Sequence, residues 1–256
     1  MNRVTKFAYG LTSYAVFFAT FLYAIGFIGN LFVPKSIDSA PNVPLTQALL
    51  INLGLLTLFA VQHSVMARPF FKRWITRFIS PAIERSTYVL ASSLALIALF
   101  VFWEPMGGVI WNITHPVGAG ILYIGFAFGW LTVLLSTFLI NHFDLFGLRQ
   151  VWLDLRKIPY SPLHFETPFL YRLVRHPLYL GWLFVLWCTP VMTAAHLVFA
   201  LACTGYILVG IQLEERDLMD AHPEYRAYRE RVPMIIPFLG RTRGGTATAA
   251  ITASKA

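Results

Sequence analysis

The sequence predicts an all-α fold, a polytopic integral membrane helical bundle. It has four long spans plus a helical hairpin, five to six transmembrane helices in all, with a polar cap at one end. Three observations carry this. Of the 256 residues, 57% are hydrophobic and 12% are charged, against the roughly 25% charge of ordinary soluble chains. Several apolar runs are long enough to cross a hydrocarbon core of about 30 Å, which takes roughly 20 apolar residues. All 20 Lys and Arg residues lie outside those runs.

The runs follow in order. The first, residues 8–33, is too long for a signal-peptide core of about 7–15 residues, and no Ala-x-Ala site follows it, so it is expected to stay as the first span. Residues 45–66, 86–103 and 118–140 are the next three. The region 178–213 is long enough for two passes, and Thr189-Pro190 breaks it into a short helix, a turn and a full-length helix. With this alternation 19 of the 20 basic residues share one face, leaving Lys35 alone on the other. The positive-inside rule then puts both termini in the cytoplasm, in a bacterial inner membrane. The net charge of +8 follows from that face and implies membrane lipid as a partner. The basic residues form no compact patch, which argues against nucleic-acid binding. Cys188 and Cys203 fall in apolar helices and read as small buried hydrophobes, not a disulfide framework. Residues 1–240 are expected to form one domain. The tail 241–256 (RTRGGTATAAITASKA) has no apolar period and is expected to be disordered.

Polar residues at the edge of a membrane span are costly and are functional candidates by default. Here they gather in four clusters, all at the basic ends of helices. VQHSVMARP holds Gln62, His63 and Ser64 before Arg68. LINHFDLFGLRQVW holds Asn141, His142 and Asp144, then Arg149 and Gln150 among aromatics. A histidine near a carboxylate is a recipe for a general base, although in a continuing helix positions i and i+2 point about 200° apart. In LVRHPLYLGW, Pro177 suits the first turn of a helix whose positive end, beside Arg175 and His176, favours an anion. Tyr179 follows one turn later, and Gly181 permits a ligand or a neighbouring helix to come close. In LEERDLMDAHPEYRAYRERVPMIIP, the adjacent Glu214 and Glu215 suit ribose hydroxyls or an ammonium group, whereas Asp217, Asp220 and Glu230 read as a solvated face. His63, His142, His176 and His222 show no metal-ligand spacing, so no metal is expected.

RHPLYLGW, followed after about thirty apolar residues by EERDL and then HPEYRAYRERVPMIIP, resembles the isoprenylcysteine carboxyl methyltransferase and phospholipid methyltransferase superfamily. Over nearly the whole chain, NLFVPKSID, VQHSVMARP, ERSTYVL, STFLINHFDLFGLRQV, VRHPLYLGW and VPMIIP resemble the membrane methanethiol S-methyltransferases; NnrU-like proteins share the His-Ser stretch but are less similar elsewhere. The resemblance implies S-adenosylmethionine as methyl donor and methanethiol as substrate, with dimethyl sulfide as product. It implies a cytoplasmic cofactor site built from Arg175, His176, Tyr179, Gly181, Glu214 and Glu215, with Gln150 and Arg149 as additions on the segment leading in. The thiol must lose a proton; His142 is the expected base, Asp144 its possible partner, and His63 the rival. Another thiol, a prenylcysteine or a phospholipid amine are the alternative acceptors, and a non-enzymatic NnrU-like accessory protein is the alternative class. Residues 141–177 are expected to form short interfacial helices that act as a lid.

Overall fold

The computed structural model describes residues 1–237; the tail 241–256 lies outside the described residues. In chain order the helices are α1 (Arg3–Gly29), α2 (Leu45–Ala67), α3 (Pro69–Ile75), α4 (Pro81–Phe102), α5 (Pro116–Ile140), α6 (His142–Leu145), α7 (Leu148–Leu155), α8 (Pro177–Trp187), α9 (Ala194–Ala221) and α10 (Tyr225–Arg231). Two short strands, β1 (Val109–Asn112) and β2 (Val191–Thr193), pair antiparallel. Helices α1, α2, α4, α5 and α9 are long and apolar enough to cross a membrane. The chain is an integral membrane helical bundle.

The 178–213 region follows its sequence. Helix α8 starts at Pro177 and has 11 residues, a rise of about 16 Å, short of a full crossing. Non-helical chain over 188–190, turned at Cys188 by the Thr189 N–H to Trp187 O bond of 3.1 Å, leads into β2, which pairs with β1 between α4 and α5. Non-helical backbone at such depth must have its polar groups satisfied by protein. Here the Cys188 N–H donates to Phe184 O at 2.9 Å and the Trp111 indole donates to Thr189 O at 3.1 Å. Helix α8 lies tightly on α5 because glycine faces glycine. A Cβ on Gly181 would sit 2.8 Å from the Gly129 carbonyl oxygen, and one on Gly129 would sit 2.7 Å from that of Gly181. Small residues that let backbones approach are the usual means of helix association in lipid.

The two ends of the bundle are built differently. Phe27, Leu99, Phe100, Trp103, Leu186 and Phe199 pack one apolar core in the half away from the basic residues. Beyond it, Asp38 accepts from Asn30 Nδ2 at 2.8 Å and from the Thr193 hydroxyl, and faces His196, tying the loop after α1 to the start of α9. Burial alone would raise the Asp38 carboxyl, but His196, Thr193 and Asn30 outweigh it and hold it below the ordinary range. Asn52, fully buried, accepts from the Glu104 N–H at 2.8 Å and donates to its carbonyl at 2.7 Å. The far end is therefore sealed by packing and backbone-directed hydrogen bonds. The basic end carries the side chains with chemistry.

Candidate active site

The opening of α8 sets the geometry. Pro177 occupies its first turn and His176 is the residue before it, with φ −124° and ψ 64°, outside helical space. The Arg175 and His176 N–H groups donate to the carbonyls of Pro233 (2.9 Å) and Met234 (3.1 Å), so the segment after α10 lies alongside. The His176 side chain does not cap the helix. Its Nε2 lies 3.1 Å from Glu215 Oε1.

Glu214 and Glu215 turn out to be unequal. The Glu215 side chain is 3% exposed and every direction around it is occupied. Arg175 Nε donates to it at 2.7 Å, the Tyr225 hydroxyl at 3.2 Å, and Arg229 Nε stands 3.0 Å from its second oxygen. Arg175 Nη1 donates to the Arg229 (2.8 Å) and Val232 (2.6 Å) carbonyls. The anion that suits the start of α8 is therefore the chain's own Glu215 carboxylate, and Arg175, His176 and Glu215 form a closed knot joining α8, α9 and α10. Glu214, one residue earlier, turns the other way and its side chain is 44% exposed. It accepts from the Tyr179 hydroxyl at 2.8 Å, and its nearest cationic candidate is His176 Nδ1 at 3.9 Å. Tyr88, Tyr171 and Tyr225 stand within electrostatic range of it. Burial, with Glu214 and Tyr228 adding to it, raises the Tyr171 phenol and keeps it a neutral donor. A half-exposed carboxylate held by one tyrosine hydroxyl, with further tyrosines in electrostatic range, is a surrounding for a cation.

Gly181 packs on Gly129 of α5, so its role in the fold is close helix approach. Gln150 does not join Glu214. Its amide donates to Asp144 O at 3.0 Å, its carbonyl oxygen is buried with no partner among the described residues, and it lines a separate cleft of about 690 Å³ with Lys72, Arg85 and Asp144.

The two histidines read as candidate bases occupy different places. Helix α5 stops at Asn141, whose φ of 120° breaks the helical path and whose side chain accepts from the Asp144 N–H at 3.1 Å. His142 then turns into a box of aromatic rings, stacked on Phe138 with centroids 4.3 Å apart and edge-on to Tyr14. Its tautomer follows from counting protons. The Thr137 hydroxyl spends its one proton on Leu134 O at 2.7 Å. It must therefore accept, at 2.9 Å, from His142 Nδ1–H, which leaves Nε2 to accept from the Tyr14 hydroxyl at 2.8 Å. Burial lowers the His142 pKa and favours this neutral ring. The expected partnership with Asp144 does not form, although the helix does end there. Asp144 instead pairs with the permanently charged Arg149 at 2.8 Å and accepts from Tyr160 at 3.4 Å.

His63 lies inside the bundle, on α2 facing α4 and α9. Nδ1 is 3.1 Å from the Ser92 hydroxyl, Nε2 is 2.8 Å from the Tyr88 hydroxyl, and the ring stacks on Phe59 with centroids 5.1 Å apart. Next to it the Ser64 hydroxyl donates to Tyr206 at 3.2 Å. Tyr88 and Tyr206 lie within electrostatic range of Tyr179, and Tyr88 of Glu214. His176 is nearer Glu214, at 3.9 Å, but is held by Glu215; His63 relates to Glu214 through Tyr88. Tyr88, Ser92, Tyr171 and Tyr206 were not singled out from sequence. For Tyr88, Ser92 and Tyr206 the signal is weak but present: hydroxyls in the basic half of apolar helices, where a leucine would cost nothing; Tyr171 lies in the polar segment before α8.

Asp217, read as a solvated residue, pairs with Arg68 at 2.8 Å and fastens α9 to the end of α2.

The comparisons with known proteins follow this geometry. The chain is 57% identical over 242 residues to a methanethiol S-methyltransferase of Crocosphaera subtropica, covering 94% of this chain and 95% of that one. It is 54% identical to the methanethiol S-methyltransferase of Mycobacterium tuberculosis, covering 93% of this chain and 98% of that protein. The chain belongs to the methanethiol S-methyltransferase family. Beyond that family it is 31% identical over 205 residues to nurim of Bos taurus, covering 77% of this chain and 75% of that one. No family model matches, and no solved structure matches. In this family member the polar clusters of the sequence part company: Arg175, His176 and Glu215 form the knot, Glu214 turns away from it, and His142 and Asp144 lie apart with partners of their own.

Proposed function

We propose that the protein is an S-adenosylmethionine-dependent methyltransferase that converts methanethiol to dimethyl sulfide, at a cytoplasmic site in a bacterial inner membrane. The family relatives carry the substrate. The observation that carries the cofactor is Glu214, a half-exposed carboxylate that accepts from the Tyr179 hydroxyl and has no Lys or Arg ion pair among the described residues. That donor set fits a sulfonium or an ammonium group and is a poor fit for an anionic cofactor. The donor supplies an electrophilic methyl group on a positively charged sulfur. Glu214, held by Tyr179, would orient that charge. Arg175, His176 and Glu215 hold α8, α9 and α10 in register and act as positioning residues.

The chain's second task is the thiol proton. Simple thiols titrate above the cysteine value of about 8.5, so the nucleophile is mostly protonated near neutrality. We assign proton acceptance to His63, because its hydroxyl partner Tyr88 lies within electrostatic range of Glu214, and give His142 a structural part. A general base of this kind contributes about 10²–10⁴ in rate. Holding the thiol sulfur in line with the transferred carbon supplies the rest of what positioning can give. The space is walled by apolar helices, and a small apolar thiol reaches it from lipid without a polar channel.

The test is calorimetry of the purified full chain in detergent with S-adenosylmethionine, then with S-adenosylhomocysteine, followed by methanethiol addition and headspace detection of dimethyl sulfide. Binding and product together are expected. Glu214→Gln should weaken the sulfonium ligand by about tenfold more than the uncharged thioether. Equal weakening of both would reject Glu214 as the group that reads the charge. Binding without dimethyl sulfide would reassign the acceptor to a larger thiol, a prenylcysteine or a lipid.

A further inference from the structure

The cleft between α3, the start of α4, α7 and residues 157–160 is not used by the chemistry above. Its ionic lining is Arg3, Lys72, Arg85 and Lys157 against Glu84, Asp144 and Asp154. Two of those three carboxylates are already neutralised by cations that do not line the cleft, Asp144 by Arg149 at 2.8 Å and Asp154 by Lys6 at 3.3 Å. The balance facing the space is thus four cations against Glu84 alone. Among the described residues neither Lys72 nor Arg85 makes an ion pair, although both are half-buried. Arg85 spends one donor on the Leu145 carbonyl at 2.8 Å and lies over the Tyr88 ring, which leaves the far edge of its guanidinium free. Burial first, then Arg85 and Arg68, push the Lys72 ammonium down, while Glu84 and Asp217 only partly offset this. Half-buried cations that face one another are stabilised by an anion between them.

We propose that this cleft binds a phosphate anion, carried in the membrane by the headgroup of an anionic phospholipid. A volume of about 690 Å³ admits a phosphodiester with its glycerol. The depth fits a headgroup, because Arg3 opens α1 and Pro81 opens α4, so the cleft lies where two spans enter their apolar course. Exposed Phe70, Trp74 and Phe78, on and just after α3, supply aromatic side chains of the kind that settle at a membrane interface beside the cleft. The methyl donor itself carries a net positive charge at neutral pH, and four cations repel it, so the cleft and the Glu214 site take ligands of opposite sign.

The experiment is thermal unfolding of the full chain in neutral detergent with added phosphatidylglycerol, phosphatidylcholine or inorganic phosphate. Phosphatidylglycerol is expected to raise the melting temperature by on the order of 5 °C and phosphatidylcholine to leave it unchanged. Lys72→Glu, or Lys157→Gln should the first variant fail to fold, is expected to abolish the shift. Arg73→Glu, on the same helix but outside the lining, is expected to keep it. An equal loss in Arg73→Glu would overturn the proposal in favour of general surface charge, as would an unchanged shift in both cleft variants. Inorganic phosphate reproducing the whole shift would overturn the lipid as the source of the phosphate.

Discussion

Replacing Glu215 by glutamine should unfold the protein more than it should blunt cofactor binding, and replacing Glu214 should do the reverse. Glu215 is the shared counter-charge of Arg175 at 2.7 Å and Arg229 at 3.0 Å, and it also meets His176 and Tyr225. Removing one member of a buried ion pair costs about 3–5 kcal/mol, because the partner stays buried and uncompensated. Glutamine keeps one acceptor oxygen, so the lower end applies, about 3 kcal/mol. For a chain of this size each kcal/mol moves the midpoint by about 2–4 °C, which gives a fall of about 6–12 °C. Glu214 is 44% exposed and has one hydrogen bond, from Tyr179, so its glutamine variant should lose about 0.5–1.5 kcal/mol and melt within a few degrees of the parent. The assay is tryptophan fluorescence against temperature in a single detergent, run beside calorimetric titration with S-adenosylmethionine. Two variants that melt together would refute the division into a structural and a ligand-facing carboxylate, since that division rests on their difference in burial and partners.

Other expectations follow from the same geometry. His63→Ala should lower dimethyl sulfide formation by about 10²–10⁴ with cofactor affinity retained, whereas His142→Ala should keep turnover within about tenfold; the opposite pattern in headspace assays would return the base to His142. His142 is neutral in the fold with its pKa lowered by burial. The unfolded chain therefore binds this proton first as pH falls, and the residue's contribution to stability is full above the ordinary value of about 6.5 and is lost as pH drops through the folded value. Imidazole NMR shifts of a labelled sample should show that ring titrating below its ordinary value. Gly181→Ala should destabilise the protein by about 1–3 kcal/mol, because its Cβ would meet the Gly129 carbonyl oxygen at 2.8 Å and the backbone of α5 cannot yield as a side chain would. An unshifted melting curve for that variant would mean that α5 and α8 are not held glycine to glycine.

The parts legible in the sequence were those fixed by one-dimensional quantities. Run length and the absence of charge located every long span, and Thr189-Pro190 marked the end of the short helix before the turn. The polar clusters fell where hydropathy changed. Pairing was another matter. Glu214 and Glu215 are neighbours with the same chemistry, and only the rotation of α9 decides which one meets Arg175. Asp144 can reach His142 only where the helix ends. The end is there, but Arg149 five residues on offers it a permanent charge, and no spacing rule ranks those two partners. Gly181 was left between a ligand and a helix, and its partner, Gly129, is 52 positions earlier. Tyr88 and Tyr206 look like ordinary aromatics of apolar helices until α4 brings the Tyr88 hydroxyl to His63 and α9 brings the Tyr206 hydroxyl to Ser64.

The crossing between residues 233–234 and residues 175–176 has a consequence for biosynthesis. The N–H groups that open α8, and two of the Arg175 guanidinium bonds, find their acceptors only in the stretch from Arg229 to Met234. Until that stretch has left the ribosome, the half-made protein can hold all of its spans in the bilayer, yet Arg175 is without its carbonyl partners and Glu215 without Arg229 and Tyr225. A nascent or prematurely terminated chain can therefore be inserted while the joint between α8, α9 and α10 is still open, and that joint closes only with residues 225–234.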